Sequence, residues 1–222
     1  MQICPSILEK TTNDYFSVIK KLSSYFNYFQ LDFTDGEYVD NKTADIDEFL
    51  NELTNYQEIN NFYFDFHLML KNYKDVIEKL KKLVINKKIK VNHVLIHFDL
   101  SPKNSLFSDV SIPFTIGITL NPDDKVNDLA QKYNINKIKA VQIMSVYPGF
   151  QGNSFLPKMI KKIEQLRIIG YKSKIFLDGG VNDQSISFIK SQKFLPDVIC
   201  PGGYLTKSPV EEILKRIHLL NS

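Results

Sequence analysis

Four short stretches carry the side chains able to do chemistry: YFQLDFT at 28–34, FDFHLM at 64–69, LIHFD at 95–99 and IFLD at 175–178. The first three split into two faces at period two, as a strand does when its faces meet different surroundings. Gln30, Asp32 and Thr34 share one face, with Phe29, Leu31 and Phe33 on the other. The next stretch sets Asp65, His67 and Met69 against Phe64, Phe66 and Leu68, and the third sets Leu95, His97 and Asp99 against Ile96 and Phe98. The fourth ends on Asp178. Carboxylates and imidazoles are the side chains with which enzymes move protons and hold metals. Three glycine-bearing turns follow the later apolar runs: PGFQGNSF (148–155), DGGVN (178–182) and PGGYLTKSP (201–209). Glycine admits positive φ and lets backbone N–H groups approach an anion closely, so these turns suit a phosphate.

Something must hold these pieces together, and the rest of the chain reads as alternating strand and helix. The predicted strands are QICPSIL, YFQLDFT, FYFDFHLML, NHVLIHFD, FTIGITL, AVQIMSV, KIFLDGG and DVICPG, eight in all. Helix-period segments between them are DYFSVIKKLSSYF, YKDVIEKLKKLV, VNDLAQKY, LPKMIKKIEQL and SISFIKSQ. The chain closes on VEEILKRIHLL, with Ser208 placed as its N-cap and Pro209 at its first helical position. LSPKNSLFSDVSIP, after the fourth strand, is too short and irregular for a helix. Eight such units in 222 residues predict a single domain, 1–222, folded as a (β/α)8 TIM barrel. An open doubly wound sheet is the alternative; it lacks the early G-x-G-x-x-G that would favour it.

Composition narrows the function classes. The formal charge of +3 is not gathered into a basic block or an aromatic-basic stripe, so nucleic acid is not an expected partner. No apolar run reaches membrane-spanning length, and strand-like sequence begins at Gln2 where a signal peptide would lie, so neither membrane attachment nor secretion is expected. Cys4 and Cys200 have no metal or redox spacing and read as reduced, buried thiols of a cytoplasmic protein.

In a barrel the inward faces of the strands converge toward their C-terminal ends, where barrel enzymes carry their sites. Phe29, Leu31 and Phe33 then pack on helices, while Gln30, Asp32 and Thr34 point inward. Two readings of the inward groups stand side by side: a hydrogen-bonded polar plug, or a site around Asp32, His67 and Asp178.

At this point the sequence resembles the ribulose-phosphate 3-epimerase family. The matching segments run in order through almost the whole chain: CPSIL, LDFTDGEYVDN, DFHLML, HFD, GITLNP, MSVYPGFQGNSFLPKM, FLDGGVN and DVICPGG. The resemblance implies a (β/α)8 fold and epimerisation at C3 of a ketose phosphate, with D-ribulose 5-phosphate and D-xylulose 5-phosphate as the expected pair. Such a reaction takes a proton from one face of the carbon and returns one to the other, which calls for two acid–base groups. By resemblance these are Asp32 and Asp178. The family commonly holds a divalent metal on two His and two Asp, and Asp32, His67 and Asp178 match that set. Zinc, manganese, iron or magnesium is the expected ion, and no organic cofactor is implied. Ser6, His67, Met69 and Met144 match substrate-contacting positions. Gly149, Gly152, Gly179, Gly180, Gly202 and Gly203 fall in the turns that hold substrate, the last four and Gly152 on its phosphate. A sugar phosphate is the expected small-molecule partner, and a homo-oligomer the expected assembly.

The chain also departs from the family pattern. Gln30 stands where the remaining metal-ligating histidine is expected, and an amide oxygen is a poorer ligand than imidazole for zinc or iron. The site can then take a harder ion, hold a metal on three residues and water, or work without one. Glu37 and Asp40 replace the usual His and Pro, Tyr147 replaces an acid before PGF, and Pro201 and Tyr204 alter the last glycine turn. His97 and Asp99 match an H-x-E segment loosely, with His97 read as supporting the site. Alternatives remain: a six-carbon ketose 6-phosphate such as allulose 6-phosphate as substrate, or a catalytically weak or silent paralogue that only binds sugar phosphate. A related decarboxylase or aldolase carries D-x-K-x-x-D, and here Thr34 occupies the lysine position.

Overall fold

A computed structural model describes the whole chain, Met1–Ser222. Its strands are all parallel: β1 (Gln2–Ile3), β2 (Ser6–Ile7), β3 (Tyr28–Thr34), β4 (Tyr63–Met69), β5 (Val91–His97), β6 (Thr115–Leu120), β7 (Ala140–Met144), β8 (Lys174–Asp178) and β9 (Val198–Cys200). The nine segments lie in the order β1-β9-β8-β7-β6-β5-β4-β3-β2. QICPSIL, expected as one strand, is two, because Pro5 has no N–H to give the ladder. β1 pairs with β9 and β2 with β3, so the divided first strand closes the ring into a TIM barrel. Backbone bonds from Cys4 N to Ile199 O (3.0 Å) and Gln30 N to Pro5 O (3.0 Å) span the join.

The helices are α1 (Thr12–Leu22), α2 (Ile46–Leu53), α3 (Tyr73–Ile85), α4 (Val126–Lys132), α5 (Lys161–Ile168), α6 (Ile186–Lys190), α7 (Gly203–Thr206) and α8 (Val210–Asn221). Helix α1 shows why these segments coil. Tyr15, Val18, Ile19 and Leu22 recur at helical spacing and are buried, while Thr11 caps the Asp14 N–H. The Tyr15 ring stacks on Phe33 at 5.1 Å between centroids, so the outward face of β3 packs on helices as its alternation predicts. Two helices went unread in the sequence. Helix α2 has eight residues, capped by Asp45 on the N–H groups of Asp47 and Glu48, and α7 is a single turn. At α8 the expected cap shifts by a residue: Pro209 is the N-cap, and Ser208 Oγ donates to Pro209 O rather than accepting from the helix. After β5 the chain makes only 3-10 turns, Phe98–Leu100 and Asn104–Ser108. Asp99 therefore lies outside β5 and does not share a strand face with His97. No helix is long and apolar enough to cross a membrane.

Candidate active site

The ladder registers set the inward polar residues beside one another on adjacent strands. Asp32 is the register partner of His67, Gln30 of Ser6 and Asp65, and Asp178 of Met144 and Cys200. β9 and the divided first strand are all that separate β8 from β3 around the ring. One side-chain oxygen or nitrogen each from Asp32, His67 and Asp178 therefore falls within 4.8 Å of the other two, and all three residues are buried. His67 Nδ1 lies 3.2 Å from Asp32 Oδ1 and 3.7 Å from Asp178 Oδ2.

Gln30 joins the two carboxylates. Its Nε2 donates to Asp32 Oδ1 (2.8 Å) and to Asp178 Oδ2 (2.6 Å), and its Oε1 accepts from the Cys200 thiol at 3.4 Å. A second amide meets it there. Gln142 Nε2, on β7, donates to the same Asp178 Oδ2 at 2.8 Å and lies 3.4 Å from His67 Nδ1. No signal in the AVQIMSV run distinguished Gln142 from an ordinary strand polar residue, since its partners are 36 and 75 residues away. Burial raises the Asp178 carboxyl to about 7, and the Asp32 charge adds to the rise. A carboxyl raised this far above its ordinary range is suited to give or take a proton.

Behind His67 lies His97, fully buried, with the two Nε2 atoms 2.9 Å apart and the rings stacked at 4.9 Å. Burial, with His67 beside it, holds His97 well below the usual imidazole range. Tyr38 covers the outer face of His97, and its hydroxyl donates to Asp99. Asp99 accepts from Tyr38 and, at 3.4 Å, from Asn121 Nδ2, and is not hydrogen-bonded to Asp32, His67 or Asp178. The mouth acids contribute less than their sequence position suggests. Glu37 is exposed and 3.7 Å from Lys71 Nζ, the exposed Tyr147 donates to Asp123, and neither these two nor Asp40 lines the pocket.

The pocket itself is lined by Ser6, Asp32, His67, Met69, Met144, Asp178 and the glycines 149, 152, 179, 180 and 202. Gln30 lies beneath it and Gly203 behind Gly202, outside the lining. Gly179 and Gly180 have φ of 108° and 66°, and a Cβ on Gly180 would come within 2.8 Å of the Phe155 backbone. The N–H groups of Gly180, Gly202 and Gly203 donate to no protein acceptor. Gln151 lies across this cradle, its amide held only by long contacts to Ser6 O (3.4 Å) and Thr206 Oγ1 (3.5 Å).

The model of the ribulose-phosphate 3-epimerase family matches residues 2–199. The chain belongs to that family. A protein of Helicobacter pylori strain 26695 named ribulose-phosphate 3-epimerase is 29% identical over 217 residues, covering 94% of this chain and 92% of the relative. One of Buchnera aphidicola subsp. Baizongia pistaciae with the same name is 31% identical over 204 residues, 88% of this chain and 82% of its own. Among solved structures, a mutant tryptophan synthase alpha-subunit of Pyrococcus furiosus superposes with a TM-score of 0.69 at 11% identity, covering 99% of this chain and 97% of that one. That likeness speaks for the TIM-barrel fold alone.

The metal expected from the family can be tested against this epimerase-family site. Asp32, His67 and Asp178 are buried, converge on one point and could hold a metal ion. Gln30 is the exception: the amide presents N–H to both carboxylates, and its oxygen faces Cys200. It becomes a fourth ligand only with the amide reversed. A bare His67 Nδ1, which an ion requires, leaves Nε2–H to donate to His97.

Proposed function

We propose that this protein is a ketose-phosphate 3-epimerase that interconverts D-ribulose 5-phosphate and D-xylulose 5-phosphate. The observation that carries the reading is the pair Asp32 and Asp178, which meet in one pocket through the Gln30 amide, beside glycine N–H groups without partners. One aspartate removes the C3 proton, the C–H electrons pass toward the C2 carbonyl to form an enediolate, and the other aspartate returns a proton to the opposite face. Atoms and charge balance, and the two carboxyl groups exchange protonation states. Met69 and Met144 bound the sugar plane, Ser6 contacts substrate, and Gly179, Gly180, Gly202 and Gly203 bind its phosphate. Asp32, His67 and Asp178 would hold a divalent zinc, manganese, iron or magnesium ion, which when bound supplies positive charge to the enediolate oxygens. Residues 1–222 form one domain, and the molecule works as a homo-oligomer in the cytoplasm; size-exclusion chromatography and cell fractionation check the last two.

A second reading, a silent sugar-phosphate binder, has one observation in its favour: Gln30 fills with N–H groups the place where a ligand is expected. The experiment that separates them is NMR of ribulose 5-phosphate in D2O, with added Mn2+ and with chelator. Loss of the C3 proton with appearance of xylulose 5-phosphate is the expected result. Its sensitivity to chelator reads out the metal. Binding without exchange, for the five-carbon and six-carbon ketose phosphates alike, would support the silent binder.

A further inference from the structure

Each of the two aspartates is fastened through one oxygen by two nitrogens. Asp32 Oδ1 faces Gln30 Nε2 (2.8 Å) and His67 Nδ1 (3.2 Å). Asp178 Oδ2 faces Gln30 Nε2 (2.6 Å) and Gln142 Nε2 (2.8 Å). No side chain is hydrogen-bonded to Asp32 Oδ2 or to Asp178 Oδ1, and both residues line the pocket. Gln142 is thus for Asp178 what His67 is for Asp32. Its placement is costly: the residue is fully buried, and its Oε1 has no hydrogen-bond partner. A barrel interior that needed only filling would be better served by an apolar side chain of the same volume. The orphan oxygen is the consequence of aiming the amide's other end at Asp178.

We propose that Gln142 is a positioning residue for proton transfer by Asp178. It holds Oδ2 against the Gln30 amide, so that Oδ1 is the oxygen that meets C3. This rests on the epimerase reading above and deepens it. Two carboxyl groups that must each give and take a proton need matched anchoring, and the Gln30 amide alone, shared between them, fixes neither against rotation. Gln142 supplies the missing point on the Asp178 side.

The consequence is an asymmetry between the two directions of reaction. Gln142→Met keeps the length of the side chain and removes the N–H groups. kcat is expected to fall about tenfold to a hundredfold, with KM changed less than about twofold, because a carboxylate displaced by a fraction of an ångström loses its line to the carbon. The diagnostic is the primary isotope effect with each epimer deuterated at C3. It should rise toward its full value for the epimer whose proton Asp178 removes and shrink toward unity for the other. A fraction of misfolded protein lowers both rates together and leaves both isotope effects unchanged. Gln142→Asn, which retracts the amide by one methylene and keeps the interior polar, carries the same expectation should the Met variant not fold. Isotope effects equal to wild type in both directions would overturn the role of Gln142 and leave the epimerase reading intact. A wild-type protein that exchanges no C3 proton would overturn both.

Discussion

Two polar layers sit inside this barrel, and each is built around aspartate and histidine. The lower one is built on Asp65, whose Oδ1 accepts from His93 N (3.0 Å) and His93 Nδ1 (2.8 Å) and whose Oδ2 accepts from the Tyr28 hydroxyl. Cys4 and Cys200 pack beside it, both free and buried, with burial pushing the Cys4 thiol up to about 11. Every oxygen of Asp65 is engaged, and the residue is sealed from solvent. The upper layer has Asp32, Asp178, His67, Gln30 and Gln142. There each carboxylate keeps one oxygen without a side-chain partner and turns toward a pocket. The two aspartate–histidine groups differ in how far their hydrogen bonds are satisfied. A plug completes its hydrogen bonds within the protein, whereas a site leaves some for a ligand.

Exchanging the two layers' acids gives the sharpest test of that contrast. Asp32→Asn and Asp178→Asn should each lower kcat by about two to four orders of magnitude, the usual contribution of a general acid or base, while the fold and phosphate binding persist. Asp65→Leu should do the reverse. It strands the His93 and Tyr28 donors and costs about 3 kcal/mol in urea unfolding, with kcat per folded molecule preserved. Equal losses of activity from all three would erase the distinction between plug and site.

The pH dependence separates the layers more finely. Asp178 has its folded carboxyl raised to about 7, chiefly by burial and next by the Asp32 charge, above the ordinary carboxylate value. The folded state then keeps a proton that the unfolded chain has lost, so stability falls as pH rises through the window from about 4 to 7 and levels off above it. Asp178→Asn removes that loss. Its stability advantage over wild type should widen across the window, as measured by denaturant titration at each pH. A constant gap would show that Asp178 titrates alike in both states.

Smaller effects test the departures from the family pattern. Gln30→His replaces an amide that presents N–H with a ring able to present a lone pair, and should tighten Zn2+ binding by roughly tenfold in competitive chelator titrations. Unchanged affinity would place residue 30 outside the ligand shell. Gln151→Ala should tighten inorganic phosphate binding by at most about fivefold, since the side chain no longer has to leave the glycine cradle. Weaker binding by calorimetry would instead make the Gln151 amide a phosphate donor.

The sequence by itself determined the alternation of strands and helices, the inward face of each strand and the glycine turns. These depend on local periodicities and on the backbone freedom of single residues, which need no distant partner. Phe29, Leu31 and Phe33 against Gln30, Asp32 and Thr34 is such a case, and both faces are buried as that division requires. Helix α2 went unread although its signals are local: Asp45 caps it, and Phe49, Leu50 and Leu53 form its buried face. What only the tertiary structure decided is which polar residues meet. Asp65 and Asp178 are alike as sequence, yet one is closed by Tyr28 and His93 and the other faces the pocket. The contacts of Gln30 and Gln142 with Asp178 span 148 and 36 residues. They follow from the closure and register of the ring, because an amide becomes part of a site only when the stave beside it brings a carboxylate within hydrogen-bond reach.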